Sequence, residues 1–297
     1  MIDLVDVQAG KPMHTIPISQ VGVKGIKYPV HVKRGDREIE LFTTIDIFVN
    51  LPSSRKGADF SRKIEAINDI IISRKVVPSI EELSAEIAAR TLERLEYSTS
   101  CQVHISADYL VEKRNGNNVP IIISYRIIGE SRLSERSKLD RYVGVVVQGI
   151  NACPCAMETT RAMISSDFPG NEELLSKIPS ITHNQRNLVT LKLQVPDGKS
   201  VEADDLISVS EEVIGGSLYS LLKRVDEGKL VYNAHKNPKF VEDIVREIAF
   251  KVSEKYGDFP DSTEVYVESR SEESIHPHDA LARIDTTLGE IRKFTLQ

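Results

Sequence analysis

Tryptophan is absent from this chain and aromatic residues make up only 6% of it, so any core must be largely aliphatic. Cysteine is scarce too. Of the three present, Cys153 and Cys155 stand one residue apart, too close to bridge comfortably, which leaves no disulfide framework and points to a reducing, cytoplasmic setting. Also missing are an apolar N-terminal leader and any run of about 18 apolar residues, so neither secretion nor membrane insertion is expected. Basic charge is short: 38 Lys and Arg face 44 Asp and Glu, a net of -6, which argues against a nucleic-acid binder that must neutralise many phosphates. A small anionic ligand needs only a local basic cluster. What the chain does have is 40% hydrophobic content, enough for a sizeable core. Its 297 residues allow one large domain or two of about 150 residues each.

The pattern along the chain begins with an irregular arm holding Pro12 and Pro17. Two β-rich runs, 21–33 and 38–51, flank a hairpin signal at Arg34-Gly35-Asp36, and Leu41, Thr43, Ile45, Ile47 and Val49 share one face by alternation. Phe60, Ile64, Ile67 and Ile71 then recur at helical spacing after Asp59, a possible cap. A second helix opens at Ser79-Ile80-Glu81-Glu82, a capping-box pattern, with Ile80, Leu83, Ile87 and Leu95 as its apolar face. Cys101, Val103, Ile105, Ala107, Tyr109 and Val111 alternate as a strand, Asn115-Gly116-Asn117 turns the chain, and 120–128 returns as another strand. The polar run 129–140 reads as a module boundary. Beyond it the order repeats with insertions: a strand over 142–150, a helical turn over 156–164, an excursion over 165–182, and a strand carrying Val189, Leu191, Leu193 and Val195. Asp204 or Asp205 caps a helix that Gly215-Gly216 breaks and 217–225 resumes. Phe240, Ile244, Val245, Ile248 and Val252 mark another helix, and 263–269 and 282–291 close the chain as strands. Both halves therefore read ββααββ, with modules at 1–130 and 131–297.

Chemistry concentrates in a few places. Cys153 and Cys155 follow the apolar run Val145-Val146-Val147 at a strand end, and Pro154 between them stiffens the loop. Free cysteine is also among the most buried residue types, so an ordinary core role competes with a chemical one. His183 lies in His-Asn-Gln-Arg before a strand, where a plain surface histidine is the bland alternative. His276 and His278 would point the same way in an extended segment unless Pro277 turns the chain; imidazoles are suited to passing protons or ligating metals. Cys153, His183 and Glu212 supply one each of thiolate, imidazole and carboxylate, the donors of zinc and ferrous iron, although no local spacing brings them together and Glu212 alone reads as a solvated helix residue. Lys223-Arg224-Val225-Asp226-Glu227 mixes signs within about one helical turn. That is usually a salt-bridged face, but it could equally offer a carboxylate to a purine and cations to phosphates.

Assembled in order, these residues resemble the type IB GTP cyclohydrolases, most closely the archaeal enzymes of methanopterin synthesis. The resemblance runs from Asp6-Val7-Gln8 and Ile18-Ser19-Gln20-Val21-Gly22-Val23, through Asn151-Ala152-Cys153-Pro154-Cys155, Thr182-His183-Asn184-Gln185-Arg186 and Lys223-Arg224-Val225-Asp226-Glu227, to Glu273-Ser274-Ile275-His276-Pro277-His278-Asp279-Ala280. It implies an α+β tunneling fold of two tandem ββααββ modules, antiparallel sheets with helices on one face, and a homodimer or higher homo-oligomer that closes a barrel. It also implies that Cys153 is an essential thiol and metal ligand, with His183 and Glu212, rather than Glu211, completing the metal site. Glu227 would anchor guanine, and Cys155, Glu273, His276 and His278 would line the catalytic pocket. Charge alone suggests Lys223, Arg224 and Arg186 for the phosphates.

The implied reaction hydrates C8 of GTP, releases formate and recloses a dihydropterin. The Asn-Ala-Cys-Pro-Cys-Ala form and the long 156–182 excursion lean toward the branch that uses ferrous iron and yields 7,8-dihydroneopterin 2′,3′-cyclic phosphate. Zinc or manganese would also enter such a site. The other branch yields dihydroneopterin triphosphate for folate or queuosine. A non-catalytic, metal-stabilised purine- or pterin-binding protein is the rival class, and another tunneling-fold enzyme acting on a heterocycle is a third.

Overall fold

A computed structural model of the chain describes residues 6–34, 37–73, 76–114, 118–215 and 218–295. The signals at Gly35-Asp36, at Asn115-Gly116-Asn117 and at Gly216-Ser217 lie outside the described residues. Strands β1 (Ile18–Arg34) and β2 (Arg37–Leu51) pair antiparallel, and β2 buries Leu41, Thr43, Ile45, Ile47 and Val49, the face that alternation predicts. Helix α1 (Phe60–Ser73) buries Lys63, Ala66, Ile67 and Ile70; of the expected face Ile67 is buried, Ile64 and Ile71 are half-buried and Phe60 is exposed. Helix α2 (Ile80–Arg94) starts as its capping pattern predicts, with the Glu82 N–H donating to Ser79 Oγ at 3.3 Å and Ile80, Leu83 and Ile87 buried. Strands β3 (Cys101–Arg114) and β4 (Pro120–Ser134) follow.

The two-module expectation fails at the supposed boundary. Residues 129–134 are strand, β5 (Lys138–Ala152) begins four residues later, and the turn between them puts Glu135 and Arg136 at φ 51° and 59°. The polar run is therefore a hairpin, not a linker. Its Glu130 is buried and accepts from Arg132 Nε and Gln102 Nε2, each at 3.0 Å, which is why a charged residue can sit inside a strand here. The ladder continues across this hairpin, and the eight strands form one antiparallel sheet in the order β1-β2-β3-β4-β5-β6-β7-β8. Two tandem ββααββ modules with their own sheets do not exist in this chain.

In the second half, the expected helical turn is the full helix α3 (Pro154–Asp167), and the excursion after it contains α4 (Glu172–Lys177). Strand β6 (Asn184–Gln194) buries Val189, Leu191 and Leu193 as its alternation predicts. Glu202 occupies the N-cap position of helix α5 (Ala203–Val213) without a side-chain capping bond, so Asp204 and Asp205 lie in the first turn, where carboxylates interact favourably with the helix dipole. The helix does not resume over 218–223; α6 (Arg224–Lys236) begins only at Arg224. Helix α7 (Val241–Lys255) buries Ile244, Val245, Ile248 and Val252. Strands β7 (Glu264–Glu272) and β8 (Ala280–Thr287) pair antiparallel, and the expected strand over 282–291 stops at Thr287. There the Glu290 N–H donates to Thr287 Oγ1 at 3.4 Å, an N-cap that starts α8 (Leu288–Thr295) with Leu288 fully buried.

The chain packs as two compact units: one of Met1–Asp108, Ile127–Val143 and Gln194–Asp197, the other of Tyr109–Arg126, Gly144–Leu193 and Gly198–Gln297. Ile45, Ile47, Ile67, Leu83 and Ile105 centre the first core; Val147, Leu191, Leu206, Ile244 and Val267 centre the second. Every candidate site residue belongs to the second unit. Among the described residues no helix is long and apolar enough to cross a membrane.

Candidate active site

The site starts where β5 ends. Pro154 has no N–H to continue the ladder but suits the first position of a helix, so the chain turns from strand to α3 at this point. Cys153 becomes the N-cap and Cys155 the second helical residue; Cys153 is half-buried and Cys155 exposed. Buried Asn151 fixes the turn from below, donating from Nδ2 to Lys239 O at 2.7 Å and accepting from the Ala152 N–H at 2.8 Å. Beside it, the Cys153 N–H donates to His183 O at 3.2 Å and Thr182 Oγ1 donates to Cys153 O at 2.7 Å. Two residues 30 apart in sequence thus meet at neighbouring strand ends. Cys101, the third cysteine, is buried in the other unit, and burial pushes its thiol up to about 12, which keeps it inert.

The β7–β8 connection closes over His183. Its Nδ1 lies 3.2 Å from Ser274 Oγ and 3.8 Å from Glu273 Oε2, and both ionisable side chains are nearly buried. Further along the same exposed loop, His276 and His278 stack with ring centroids 5.2 Å apart and 18° between planes, so Pro277 does not separate them. Beneath this rim the covered face of the sheet is polar instead of aliphatic. Asn187 pairs with Ser271 across β6 and β7, and Asn187 Oδ1 accepts from Ser269 Oγ at 3.1 Å. Gln185 Oε1, Asn187 Nδ2 and Ser271 Oγ are buried without a hydrogen-bond partner. Each such atom costs about 1–3 kcal/mol, so the stretch is expensive to keep polar.

Other predicted residues are placed elsewhere. Glu212 pairs with Lys251 Nζ at 3.1 Å on the surface, its side chain 58% exposed. Its neighbour Glu211 points the other way: Tyr125 Oη donates to Oε1 and Lys113 Nζ to Oε2, each at 2.5 Å. Burial, then the Glu211 carboxylate, push the Tyr125 phenol well above its usual range, so it remains a donor. Lys223, Arg224 and Glu227 are exposed on the first turn of α6, and Arg186 is exposed on β6. A cavity of about 470 Å³ with apolar walls opens between α3, α4 and α6; Ile181 and Gly228 line it, next in sequence to Thr182 and Glu227.

Thiol and imidazole at the β5 and β6 ends are donor types that suit zinc or ferrous iron, and to that extent the residues fit a divalent metal. The third expected donor is not delivered. Among the described residues no three His, Cys, Asp or Glu side chains are gathered for a metal. The sequence assigned no role to Thr182 or Ser274, although both lie inside quoted motifs, nor to Lys113 and Tyr125, which no spacing pattern links to Glu211.

The profile of the family described as type I GTP cyclohydrolase folE2 matches residues 4–282. A GTP cyclohydrolase MptA from Thermoplasma acidophilum is 43% identical over 297 residues, covering 100% of both chains. Another from Methanococcus vannielii is 38% identical over 304 residues, covering 97% of each. Among solved structures, a uricase from Bacillus fastidious has a TM-score of 0.54 at 7% identity, covering 94% of this chain and 96% of that one. Uricase from Arthrobacter globiformis has a TM-score of 0.50 at 8% identity, covering 91% and 93%. These two likenesses concern the fold alone, which is uricase-like. With the profile spanning most of the sequence and relatives aligned end to end, the chain belongs to the folE2 family of type I GTP cyclohydrolases, a family of enzymes.

Proposed function

We propose that this chain opens the guanine ring of GTP at C8, releases formate and yields 7,8-dihydroneopterin 2′,3′-cyclic phosphate for tetrahydromethanopterin synthesis in the cytoplasm. The observation that carries the proposal is the meeting of Cys153 with His183 at the β5 and β6 ends, under the Glu273 carboxylate, in a member of a GTP cyclohydrolase family. Full-length similarity to proteins named GTP cyclohydrolase MptA, together with the α3–α4 excursion, favours the cyclic phosphate over dihydroneopterin triphosphate.

Cys153 and His183 would hold a divalent metal, ferrous iron in this proposal, with zinc or manganese able to take the same thiol–imidazole pair. When bound, the metal supplies Lewis-acid activation of water. The stacked His276 and His278 hold and deliver a proton to the guanine ring nitrogen as its bond to C8 breaks. Glu227 accepts from the guanine N–H groups, and Lys223, Arg224 and Arg186 supply cations for the phosphates. Cys155, exposed in the first turn of α3, would line the same pocket. The end strands of the sheet, β1 and β8, present edges that a second copy can pair with, which supports a homodimer or larger assembly.

Anaerobic incubation with GTP and ferrous iron, followed by formate assay and phosphorus NMR, tests the proposal. Formate with a cyclic phosphodiester is the expected result. Formate with an intact triphosphate would move the chain to the other reaction, and no formate with any divalent metal, from folded protein that binds GTP, would leave a binding protein without turnover.

A further inference from the structure

We infer that Ser274 is a positioning residue that, with Glu273, holds His183 in the tautomer protonated on Nδ1. Two oxygens face that nitrogen, Ser274 Oγ at 3.2 Å and Glu273 Oε2 at 3.8 Å. One belongs to a carboxylate. A lone pair on Nδ1 would be repelled by that charge, whereas an N–H dipole is attracted to it, so Nδ1 carries the proton and Ser274 Oγ accepts it. Nε2 is left with the lone pair. That is the state an imidazole needs in order to ligate a metal or take a proton, and a hydrogen bond to the other nitrogen is the ordinary means of imposing it. The backbone that carries the ring is also fixed, since His183 O accepts from the Cys153 N–H.

The consequence for the reaction rests on the proposed role of His183; the tautomer itself does not. Long-range proton–nitrogen correlation NMR on metal-free, uniformly ¹⁵N-labelled full chain, at a pH where the ring is neutral, reads the tautomer, and loss of the signal in His183→Gln assigns it. The expected result is a dominant Nδ1–H form in the wild type, a shift toward the Nε2–H form that free histidine prefers in Ser274→Ala, and restoration in Ser274→Thr. Cobalt affinity, read from the visible absorption of the ion, should fall about 10–100-fold in Ser274→Ala and recover in Ser274→Thr. A wild-type ring protonated on Nε2, or a tautomer unmoved by Ser274→Ala, overturns the inference. A tautomer that shifts while cobalt affinity stays constant supports the positioning role and removes His183 from the metal site.

Discussion

Adjacent glutamates on α5 have opposite fates, because successive helical residues point about 100° apart. Glu211 is gripped by Lys113 and Tyr125, and Glu212 reaches solvent and Lys251. Replacing Glu211 with alanine strands a phenol and an ammonium and should cost about 2–3 kcal/mol in urea unfolding. Glu212→Ala removes one exposed ion pair and should change stability by less than about 1 kcal/mol, with kcat/KM within about threefold of wild type. A collapse of turnover in Glu212→Ala at unchanged stability would instead make Glu212 a working carboxylate of the assembled enzyme. Nothing in the sequence distinguishes the two residues, since both lie in the same Ser-Glu-Glu-Val stretch and only the packing of α5 decides which one turns inward. Lys63 teaches the same lesson: it takes a core position on α1, fully buried and with no hydrogen-bond partner for Nζ, where spacing pointed to Ile64.

At the scale of elements, close backbone approach rather than propensity fixes β4 against α2. A Cβ on Gly129 would lie 2.6 Å from Ile80 C and 2.7 Å from Glu81 N, and neither backbone atom can yield cheaply. Gly129→Ala should therefore cost about 1–3 kcal/mol, while Gly228→Ala, inside α6 with open space around its Cβ, should gain about 0.5–1 kcal/mol. Paired urea melts check the opposite signs; two changes of the same sign would refute the argument. Strands with clean alternation were legible in the sequence, as Cys101, Val103, Ile105, Ala107 and Tyr109 show by being buried, with Val111 at the end of the set half-buried. Ends were less so. The start of α8 rests on Thr287 Oγ1 capping Glu290 and on burial of Leu288, a tertiary contact with Thr263 O that alternation cannot foresee. The site was legible only through its motifs: no spacing rule brings Cys153 to His183, and the hydrogen bond that does so depends on where two strands end.

For the whole molecule, the sequence suggested a boundary at 129–140 because the stretch is polar, whereas buried Glu130 and Ser131 make it part of one sheet. The end strands β1 and β8, and apolar residues such as Leu174, Ile178, Ile181 and Tyr232 exposed on the second unit, invite self-association. Sedimentation velocity at micromolar concentration should show a homodimer or larger species. A monomer throughout the range where GTP is turned over would overturn the proposed assembly.

Strand order has one more consequence. Each strand neighbours the one made just before it, so the sheet can lengthen in step with synthesis and no early strand waits for a late one. The residues around His183 are exceptions to this economy of waiting: Cys153 emerges first, its strand-end partner 30 residues later, and Glu273 and Ser274 only after β7. On a ribosome, the surroundings of His183 are complete only when β8 and α8 alone remain to be made.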